Sequence, residues 1–475
     1  MRLVRALPLL ASLAAVAAGA APLAGTAAIA AAGAHKLPLP FAQDPYPSTY
    51  RPLPRLDTLI RGATVLDGRG GRLEHASVLL RDGIIVAVGA GLEAPPGAVV
   101  IDAAGRWVTP GIVDVHTHLG NFAAPFTSLE LAHSDVSEAT DPVSAQVRTE
   151  QSVTVQDPQF SRALAAGVTT VQVLPGSRSL FGGRGVVLKN VPALTVRAMK
   201  FPGAMAALKM ACGENPRDYF GDQNRFPSSR MGSVAGMRAA WIRSQEYAGR
   251  WAAYEAGPAD AVPPVRDLAL ETLVAALRGD IAVHIHCYRA DDMAVMLDVA
   301  QEFGYHIEAF HHAAEAYKIA GLLAQAGTCA AVWSDWWGYK REAFDGIREN
   351  AAFLEAQGAC VALHSDVPMV GQHLTVEVAK AVAAGRDAGI DIRPEQALKW
   401  ITFNPARILH LDERIGSLEN GKNADVVIWS GDPFSVYTSA DQVFIDGALV
   451  YDRADPTRQA RSDFELGQPG QAPLP

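Results

Sequence analysis

The sequence predicts an α/β protein, a (β/α)8 TIM barrel with a small β-sandwich domain built from both ends of the chain. Between Thr109 and Leu409, short apolar, β-branched runs alternate with longer stretches rich in Ala, Leu and Glu. On either side of this region, short β-type runs are separated by turns, and Asp82-Gly83 and Asp446-Gly447 are typical hairpin turns. Alternating strands and helices predict a barrel, whereas short strands with tight turns predict a separate β-domain.

Length and composition agree with this organisation. The chain has 475 residues, which suits a large barrel plus a smaller module. The net charge of −9 argues against a nucleic-acid partner, because phosphate binding needs a basic surface. We therefore expect a small-molecule substrate, no nucleic acid and a homo-oligomer. The predicted divisions are a signal peptide (1–34), a Pro-rich leader (35–55), the β-sandwich domain (56–108 and 410–455), the barrel (109–409, with an insertion at about 212–262) and a C-terminal tail (456–475).

The amino terminus is typical of a secretory signal peptide. Arg2 and Arg5 precede an uncharged, Ala-rich run from Ala6 to Ala34 that contains small-x-small sites. The sequence therefore predicts an exported protein, periplasmic or secreted, with no stable membrane span after signal removal. An uncleaved N-terminal membrane anchor is the alternative, because the run is long enough to cross a bilayer, although Pro22 interrupts it.

The chain has four cysteines without CxxC spacing, so neither a zinc ribbon nor a thioredoxin-type motif is present. Export would allow them to oxidise, but a chain of this size does not need disulfides to fold. We expect buried free thiols at Cys212, Cys287, Cys329 and Cys360.

Eight short apolar runs are candidates for the barrel strands. A large insertion separates the fourth from the fifth, and it would lie on the loop face where such barrels carry their active sites. The predicted strands are Ile112–Val115, Val168–Val173, Gly185–Leu188, Met205–Lys209, Ile281–His286, His306–Phe310, Thr328–Val332 and Cys360–Leu363.

The strongest chemical signal is a His-x-His pair at the end of the first barrel strand. Side chains two apart in a strand point the same way, so His116 and His118 can both bind one metal ion. They follow an apolar run, at the carboxyl end where catalytic groups of this fold converge.

Further histidines and an aspartate follow later strands, at His284, His286, His311, His312 and Asp366. Neutral imidazoles with a carboxylate are the usual ligands of catalytic zinc. Bound metal acidifies water, and Asp366 is the natural catalytic base to accept the proton. Each histidine alone could be a hydrogen-bonded core residue, but their shared placement at strand ends favours a metal site.

These motifs together resemble the amidohydrolase superfamily. The resemblance rests on "TPGIVDVHTH", "HSD" and "GSLENGKNADVVIWSGDP", and it runs from about Asp57 to Asp452. The segments "AGVTTVQVLPGS", "HIHCYRADDM", "HHAAEAYKIAGLLAQAG" and "GENPR" are most similar to the imidazolonepropionase-like branch, which also contains Xaa-Pro dipeptidase-like members. The resemblance implies that His116, His118, His286, His312 and Asp366 bind metal, with His284, His311 and His364 behind the ligands or against substrate.

The resemblance also implies, in members with two metals, a carboxylated lysine that bridges them. Lys209 matches best by position, and Lys189 and Glu214 are alternatives; a surface role for Lys209 is also open. A lysine takes up carbon dioxide only when its amine is neutral, which a partly buried site favours. Glu214 could also reach the substrate, and Arg230 could bind an anionic substrate group or be solvated.

The sequence therefore favours metal-dependent hydrolysis of a C–N bond, with one or two zinc ions or other divalent metals. An exported enzyme would suit a dipeptide or another small acyl-amino compound. Alternatives are a deaminase, lactonase or phosphoesterase on the same fold, or a non-catalytic binding protein. Trp333, Trp336 and Trp337 could line an apolar substrate pocket or pack internally.

Overall fold

The structure, a computed structural model, describes residues 38–41, 43–122 and 134–459. The predicted signal peptide lies outside the described residues, as do the first three residues of the leader and residues 460–475 of the tail. Within the described part of the chain, no helix combines the length and apolar character needed to cross a bilayer.

Both ends of the chain contribute to one small sheet domain, which has its own apolar core of residues such as Ile60, Val78 and Phe444. Its strands are hydrogen bonded in the order β16-β15-β14-β5-β1-β2-β3, and β4 pairs with β1. The strands are β1 (Thr58–Leu66), β2 (Arg72–Arg81), β3 (Ile84–Gly89), β4 (Val99–Asp102), β5 (Trp107–Pro110), β14 (Val426–Trp429), β15 (Ala440–Ile445) and β16 (Ala448–Asp452).

The chain between these parts forms the barrel, with eight strands in the order β13-β12-β11-β10-β9-β8-β7-β6. A parallel bridge between Thr117 and Asp366 joins the two ends of this order and closes the ring. The strands are β6 (Ile112–Thr117), β7 (Val168–Val173), β8 (Phe181–Lys189), β9 (Ala207–Ala211), β10 (Ala282–Cys287), β11 (Ala309–His312), β12 (Cys329–Val332) and β13 (Val361–Leu363). The predicted barrel with a separate sheet domain is confirmed.

One barrel strand departs from the expected strand–helix alternation. β8 runs antiparallel to both β7 and β9, and no helix separates it from β7. An antiparallel neighbour can follow through a short connection, whereas a parallel one needs a crossover. The reversal carries Lys189 to the amino-terminal side of the barrel, opposite Thr170 near the start of β7.

Helices cover most of the other crossovers. The long helix α4 occupies much of the predicted insertion and buries Trp241, Tyr247 and Trp251 on the barrel side. Phe41 of the leader contacts Tyr247 and Trp251 at ring-centroid distances of 6.1 and 6.2 Å, so leader and insertion pack together. The helices are α1 (Pro158–Ala165), α2 (Val196–Met199), α3 (Glu214–Gly221), α4 (Arg230–Ala256), α5 (Leu268–Leu277), α6 (Ala290–Phe303), α7 (Ala320–Ala326), α8 (Asn350–Ala356), α9 (Leu374–Asp387), α10 (Pro394–Ala397) and α11 (Phe403–Ile408).

Gly111 is the single residue between β5 of the sheet domain and β6, the first barrel strand. A Cβ at this position would lie 2.1 Å from Thr169 Oγ1, so no larger residue fits without a shift. The Gly111 amide donates to Asp425 O at 2.8 Å, which ties the link to the sheet domain. The orientation of the first barrel strand therefore depends on both domains.

A buried ionic cluster joins the barrel to the sheet domain. Lys189 Nζ donates to Asp446 Oδ1 at 2.9 Å and lies 3.6 Å from Asp425 Oδ2. The Tyr50 hydroxyl of the leader donates to Asp446 Oδ2 at 2.6 Å. Burial raises the pKa of Asp425 to about 6, although Lys189 opposes the shift. Lys189, considered above as a possible metal bridge, is engaged here instead.

The prediction of free thiols is wrong, because the cysteines form two disulfides. Cys212–Cys287 links the carboxyl ends of β9 and β10, and Cys329–Cys360 links β12 to the residue before β13. The Cα–Cα distances are 5.2 and 4.5 Å, within the range that a disulfide spans. Each pair lies on neighbouring strands, a proximity that depends on barrel register and leaves no local sequence signal.

Candidate metal centre

The carboxyl ends of the barrel strands bring several of the predicted ligands together. His116 and His118 lie on one face of β6, and the Nε2 atom of each is 3.3 Å from Asp366 Oδ1. Both imidazoles are buried. Asp366 lies three residues after the last barrel strand, and its amide donates to His116 O at 2.8 Å. The hydrogen bonds that close the barrel therefore also position the first three candidate ligands.

Three residues at these strand ends have left-handed backbone conformations. The φ angles of His312, Ala313 and Asp366 are 69°, 40° and 58°. Non-glycine residues seldom adopt this region, and such strain persists where the surrounding structure imposes it, often at functional sites. The tight turns aim the His312 and Asp366 side chains into the ring.

Several buried imidazole nitrogens have no hydrogen-bond partner among the described residues. They are both nitrogens of His286, both nitrogens of His364, Nδ1 of His312 and Nε2 of His284. Buried polar atoms are normally hydrogen bonded, so these unpartnered nitrogens indicate a bound ligand that the polypeptide does not supply. Burial lowers the pKa of His286 and His312 well below the ordinary value and that of His364 to about 4, which keeps the rings neutral. Neutral imidazoles with free lone pairs fit a metal ion.

Two groups of three donor atoms are compact enough to hold an ion. One contains His116, His118 and Asp366, and the other contains His116, His312 and His364; within each, the donor atoms lie within 4.8 Å of one another. His364, predicted to lie behind the ligands or against substrate, is therefore also a candidate donor. His118 Nδ1 contacts Leu174 O at 2.8 Å, which requires a proton on Nδ1 and leaves Nε2 free to ligate.

Lys209 lies within the same cluster. Its side chain is fully buried, so a surface role is excluded. Nζ lies 3.5 Å from His116 Nε2 and donates to Pro175 O at 3.1 Å and to Ser177 Oγ at 3.2 Å. Burial lowers the pKa of its amine to about 8, so a substantial neutral fraction is available near neutral pH. These surroundings fit the neutral amine that carboxylation requires.

His311 and His284 form a chain of imidazoles behind His116. His116 Nδ1 lies 3.1 Å from His311 Nδ1, and His311 Nε2 lies 2.8 Å from His284 Nδ1. If His116 presents Nε2 to a metal, its Nδ1–H donates to His311, and His311 Nε2–H in turn donates to His284. Both residues lie on the inner side of His116, where they can fix its tautomer.

Aromatic residues form one wall above the cluster, and they include the predicted Trp333 and Trp336 together with Tyr288 and Tyr339, which were not predicted from the sequence. The Tyr288 ring stacks on His312 with centroids 5.3 Å apart, and Trp333 lies 4.3 Å from His312. Trp336 stacks on Trp333 at 4.5 Å, and the Tyr288 and Tyr339 hydroxyls are hydrogen bonded. One feature of the sequence could have identified Tyr288 and Tyr339 as site residues, because each lies in the loop that follows a predicted barrel strand. Trp337, in contrast, is exposed and donates to Phe344 O.

The two remaining predicted residues have different surroundings. Glu214 begins α3 and is buried, and its amide donates to Glu342 Oε2 at 2.9 Å. Burial raises the pKa of Glu342 to about 7, so Glu342 is partly protonated near neutral pH. Arg230 donates to Asp291 and Asp292 at 2.7 and 2.6 Å, and the structure gives it no contact with the histidine cluster.

A buried cluster of histidines and an aspartate at the carboxyl ends of a TIM-like barrel defines a class of hydrolases that use bound metal. The sequence comparison agrees, since the profile of the amidohydrolase family matches residues 107–450. The chain belongs to the amidohydrolase family.

Individual relatives support this assignment. Amidohydrolase tasK of Hapsidospora irregularis is 32% identical over 399 residues, which cover 79% of this chain but only 40% of that longer protein. Imidazolonepropionase of Mesorhizobium japonicum is 26% identical over 78% of this chain and 90% of its own length. The solved structure of an amidohydrolase from Thermotoga maritima has a TM-score of 0.77 at 35% identity, covering 83% of this chain and all of that one.

Proposed function

We propose that the protein is a metal-dependent hydrolase that cleaves an amide, peptide-like or cyclic amide C–N bond of a small molecule. The observation that carries the proposal is the convergence of His116, His118 and Asp366 beside buried imidazoles that lack protein partners. Family membership and imidazolonepropionase relatives support hydrolysis at C–N bonds. Zinc is the metal that this set of nitrogen and oxygen donors suits best.

The residues that would hold the metal are His116, His118, His286, His312 and Asp366, with His364 as a further donor. A divalent cation held there supplies Lewis-acid chemistry, polarising a carbonyl and acidifying water. Burial alone would raise the pKa of Asp366, but the contact with His118 and neighbouring positive charges hold the pKa below its ordinary value. Asp366 is therefore ionised, and its carboxylate can take a proton from water and return it to the leaving nitrogen.

Lys209 distinguishes a site for two metals from a site for one. Its buried amine beside His116 Nε2 supports carboxylation, which would give an anionic bridge between the two groups of donors. The aromatic wall of Tyr288, Trp333, Trp336 and Tyr339 would exclude water from one side and accept an apolar part of the substrate.

We further propose that the enzyme works outside the cytoplasm on a dipeptide or another small acyl-amino compound. The signal-like amino terminus supports export. Two disulfides in a chain of this size also favour an oxidising compartment. A scavenging role on small amides suits such a location better than a step of intracellular degradation.

Elemental analysis of the purified protein tests the proposal, with a His116→Ala/His118→Ala variant beside it and a screen of dipeptides and N-acyl amino acids on both. We expect bound zinc in the wild type, its loss in the variant and hydrolysis by the wild type alone. About two ions per chain would support carboxylated Lys209, and about one would remove Lys209 from the centre. Absence of metal after reconstitution would contradict the proposed function.

A further inference from the structure

We propose that Lys340 anchors a carboxylate of the substrate, so that the preferred substrates are amides bearing a free carboxylate beside an apolar group. This inference rests on the proposed function and names the substrate class of the same site.

Lys340 contacts aromatic rings that pack against the histidine cluster. Its Nζ is 4.7 Å from the centroid of the Tyr288 ring and 5.1 Å from that of Tyr339. The Tyr288 ring in turn stacks on the His312 ring, with centroids 5.3 Å apart. A ligand at the cluster therefore lies within electrostatic reach of this ammonium group.

The Lys340 ammonium has unused hydrogen-bonding capacity. It can donate three hydrogen bonds, and it donates one, to Asn215 Oδ1 at 2.6 Å. Among the described residues, no carboxylate oxygen lies within 4.0 Å of its Nζ, although Glu214, Asp366, Glu342 and Asp218 are near enough to influence its pKa. The side chain is half-buried, and burial lowers the pKa of the amine. A partly desolvated cation without an ion pair favours an anionic ligand.

Three other cations near the mouth already form ion pairs. Arg230 pairs with Asp291 and Asp292, and the exposed Arg341 pairs with Asp218 at 2.8 Å. Lys380, on α9, pairs with Asp335 at 3.0 Å. Lys340 thus retains donors for a ligand while it is half-buried, whereas Arg178, which lies 5.1 Å from the Tyr219 ring centroid, is exposed.

Amino-acid amides match this geometry. In an N-acyl amino acid, a single carbon separates the amide nitrogen from the carboxylate, and that carbon also carries the side chain. An amide at the histidine cluster can therefore extend its carboxylate toward Lys340 while the side chain lies against Trp333 and Trp336. A charge-assisted hydrogen bond of this kind is stronger than a neutral one and is sensitive to removal of either charge.

Binding measurements test the anchor. Zinc-loaded protein is titrated calorimetrically with N-acetyl-L-phenylalanine and with N-acetyl-L-phenylalaninamide, which lacks the negative charge. The variants are Lys340→Met, which keeps the aliphatic stem, Lys340→Arg, which keeps the charge, and Lys380→Met as the matched control. We expect the wild type and Lys380→Met to bind the carboxylate about tenfold tighter than the carboxamide. Lys340→Met should lose this preference, and Lys340→Arg should retain part of it.

Equal affinity for the two compounds in the wild type, no binding of the carboxylate, or an undiminished preference in Lys340→Met would each overturn the anchor. Urea unfolding of Lys340→Met shows whether the variant is folded, and Lys340→Arg provides the test if it is not. If the preference depends on Lys340 but no amide is hydrolysed, the anchor stands and the proposed hydrolase fails. If carboxylate and carboxamide are hydrolysed equally well, the hydrolase stands and the anchor fails.

Discussion

Single residues of the metal centre combine deep burial with missing partners. His286 buries both ring nitrogens without a hydrogen bond to any described residue, and such groups cost about 1–3 kcal/mol each when unsatisfied. An aromatic core residue would satisfy the packing here without this cost. A ligand that binds a nitrogen lone pair of His286 would explain why a histidine, rather than an apolar aromatic residue, occupies this buried position.

We therefore expect His286→Ala to weaken zinc binding by about 100-fold or more, because it removes a ligand rather than a residue that orients one. His306→Ala is the control, since that side chain is 51% exposed and lies at the opposite end of the barrel. Competition with a chromophoric chelator measures both affinities. Equal affinities in the two variants would remove His286 from the centre.

A second residue-scale prediction concerns His410, whose Nε2–H donates to Glu308 Oε1 at 3.0 Å. This hydrogen bond raises the pKa of His410 above its ordinary value of 6.5. A raised folded pKa stabilises the protein fully below the unfolded pKa, and the stabilisation is lost as the pH rises through the folded pKa.

We expect the loss of unfolding free energy in His410→Gln to be largest below about pH 6 and to shrink as the pH rises beyond about 6.5. Urea unfolding at a series of pH values measures it, with the exposed His75→Gln as control. A difference that does not change with pH would show that His410 acts through packing alone.

At the scale of elements, the disulfide Cys212–Cys287 holds together the two strands that carry Lys209 and His286. The second disulfide lies at the other end of the barrel, at the start of β12, and closes a loop of 31 residues rather than 75. The two cross-links therefore differ in their distance from the metal centre while resembling each other in chemistry.

Replacing either pair by alanine should lower the free energy of unfolding by about 2–5 kcal/mol, slightly more for the longer loop. Only Cys212→Ala/Cys287→Ala should also reduce zinc retention, because Cys287 follows the candidate ligand His286. Urea unfolding and metal content after dialysis test both statements. Equal metal retention by the two double variants would mean that the first disulfide does not position the centre.

The sequence predicts elements better than the contacts between them. Apolar runs locate all eight barrel strands, and strand-end positions locate His116, His118 and Asp366, because these signals are local. No local pattern predicts the reversed direction of β8, since an apolar run indicates a buried strand but not whether it is parallel or antiparallel to its neighbours. Cysteine pairing and the approach of Lys340 to Tyr288 depend in the same way on register and tertiary packing.

For the whole molecule, the ionic cluster around Lys189 connects the two domains. Lys189 is 1% exposed, and Asp446 and Asp425 have no other cation within 4.0 Å among the described residues. Removing one partner of such a buried pair leaves a charge without compensation, whereas an exposed ion pair contributes little.

Lys189→Met should therefore lower the free energy of unfolding by about 3–5 kcal/mol, and adding Asp446→Asn should restore part of the loss. Arg238→Met is the comparison, because Arg238 forms an exposed pair with Glu302 and should cost at most about 1 kcal/mol. Urea unfolding measures all three variants. A small effect in Lys189→Met would indicate that water already solvates the cluster.

The antiparallel β7–β8 pair has a consequence for the order in which the barrel assembles. Residues 168–189 can form this hairpin with a short loop. In contrast, β6 and β13 are neighbours although nearly the whole barrel sequence separates them. Local contacts cost little loop-closure entropy and distant ones cost more, so the hairpin forms early and the seam between Thr117 and Asp366 closes late. Since that seam positions Asp366, the proposed proton acceptor reaches its place only when the ring is complete. We therefore expect partly folded intermediates to be inactive.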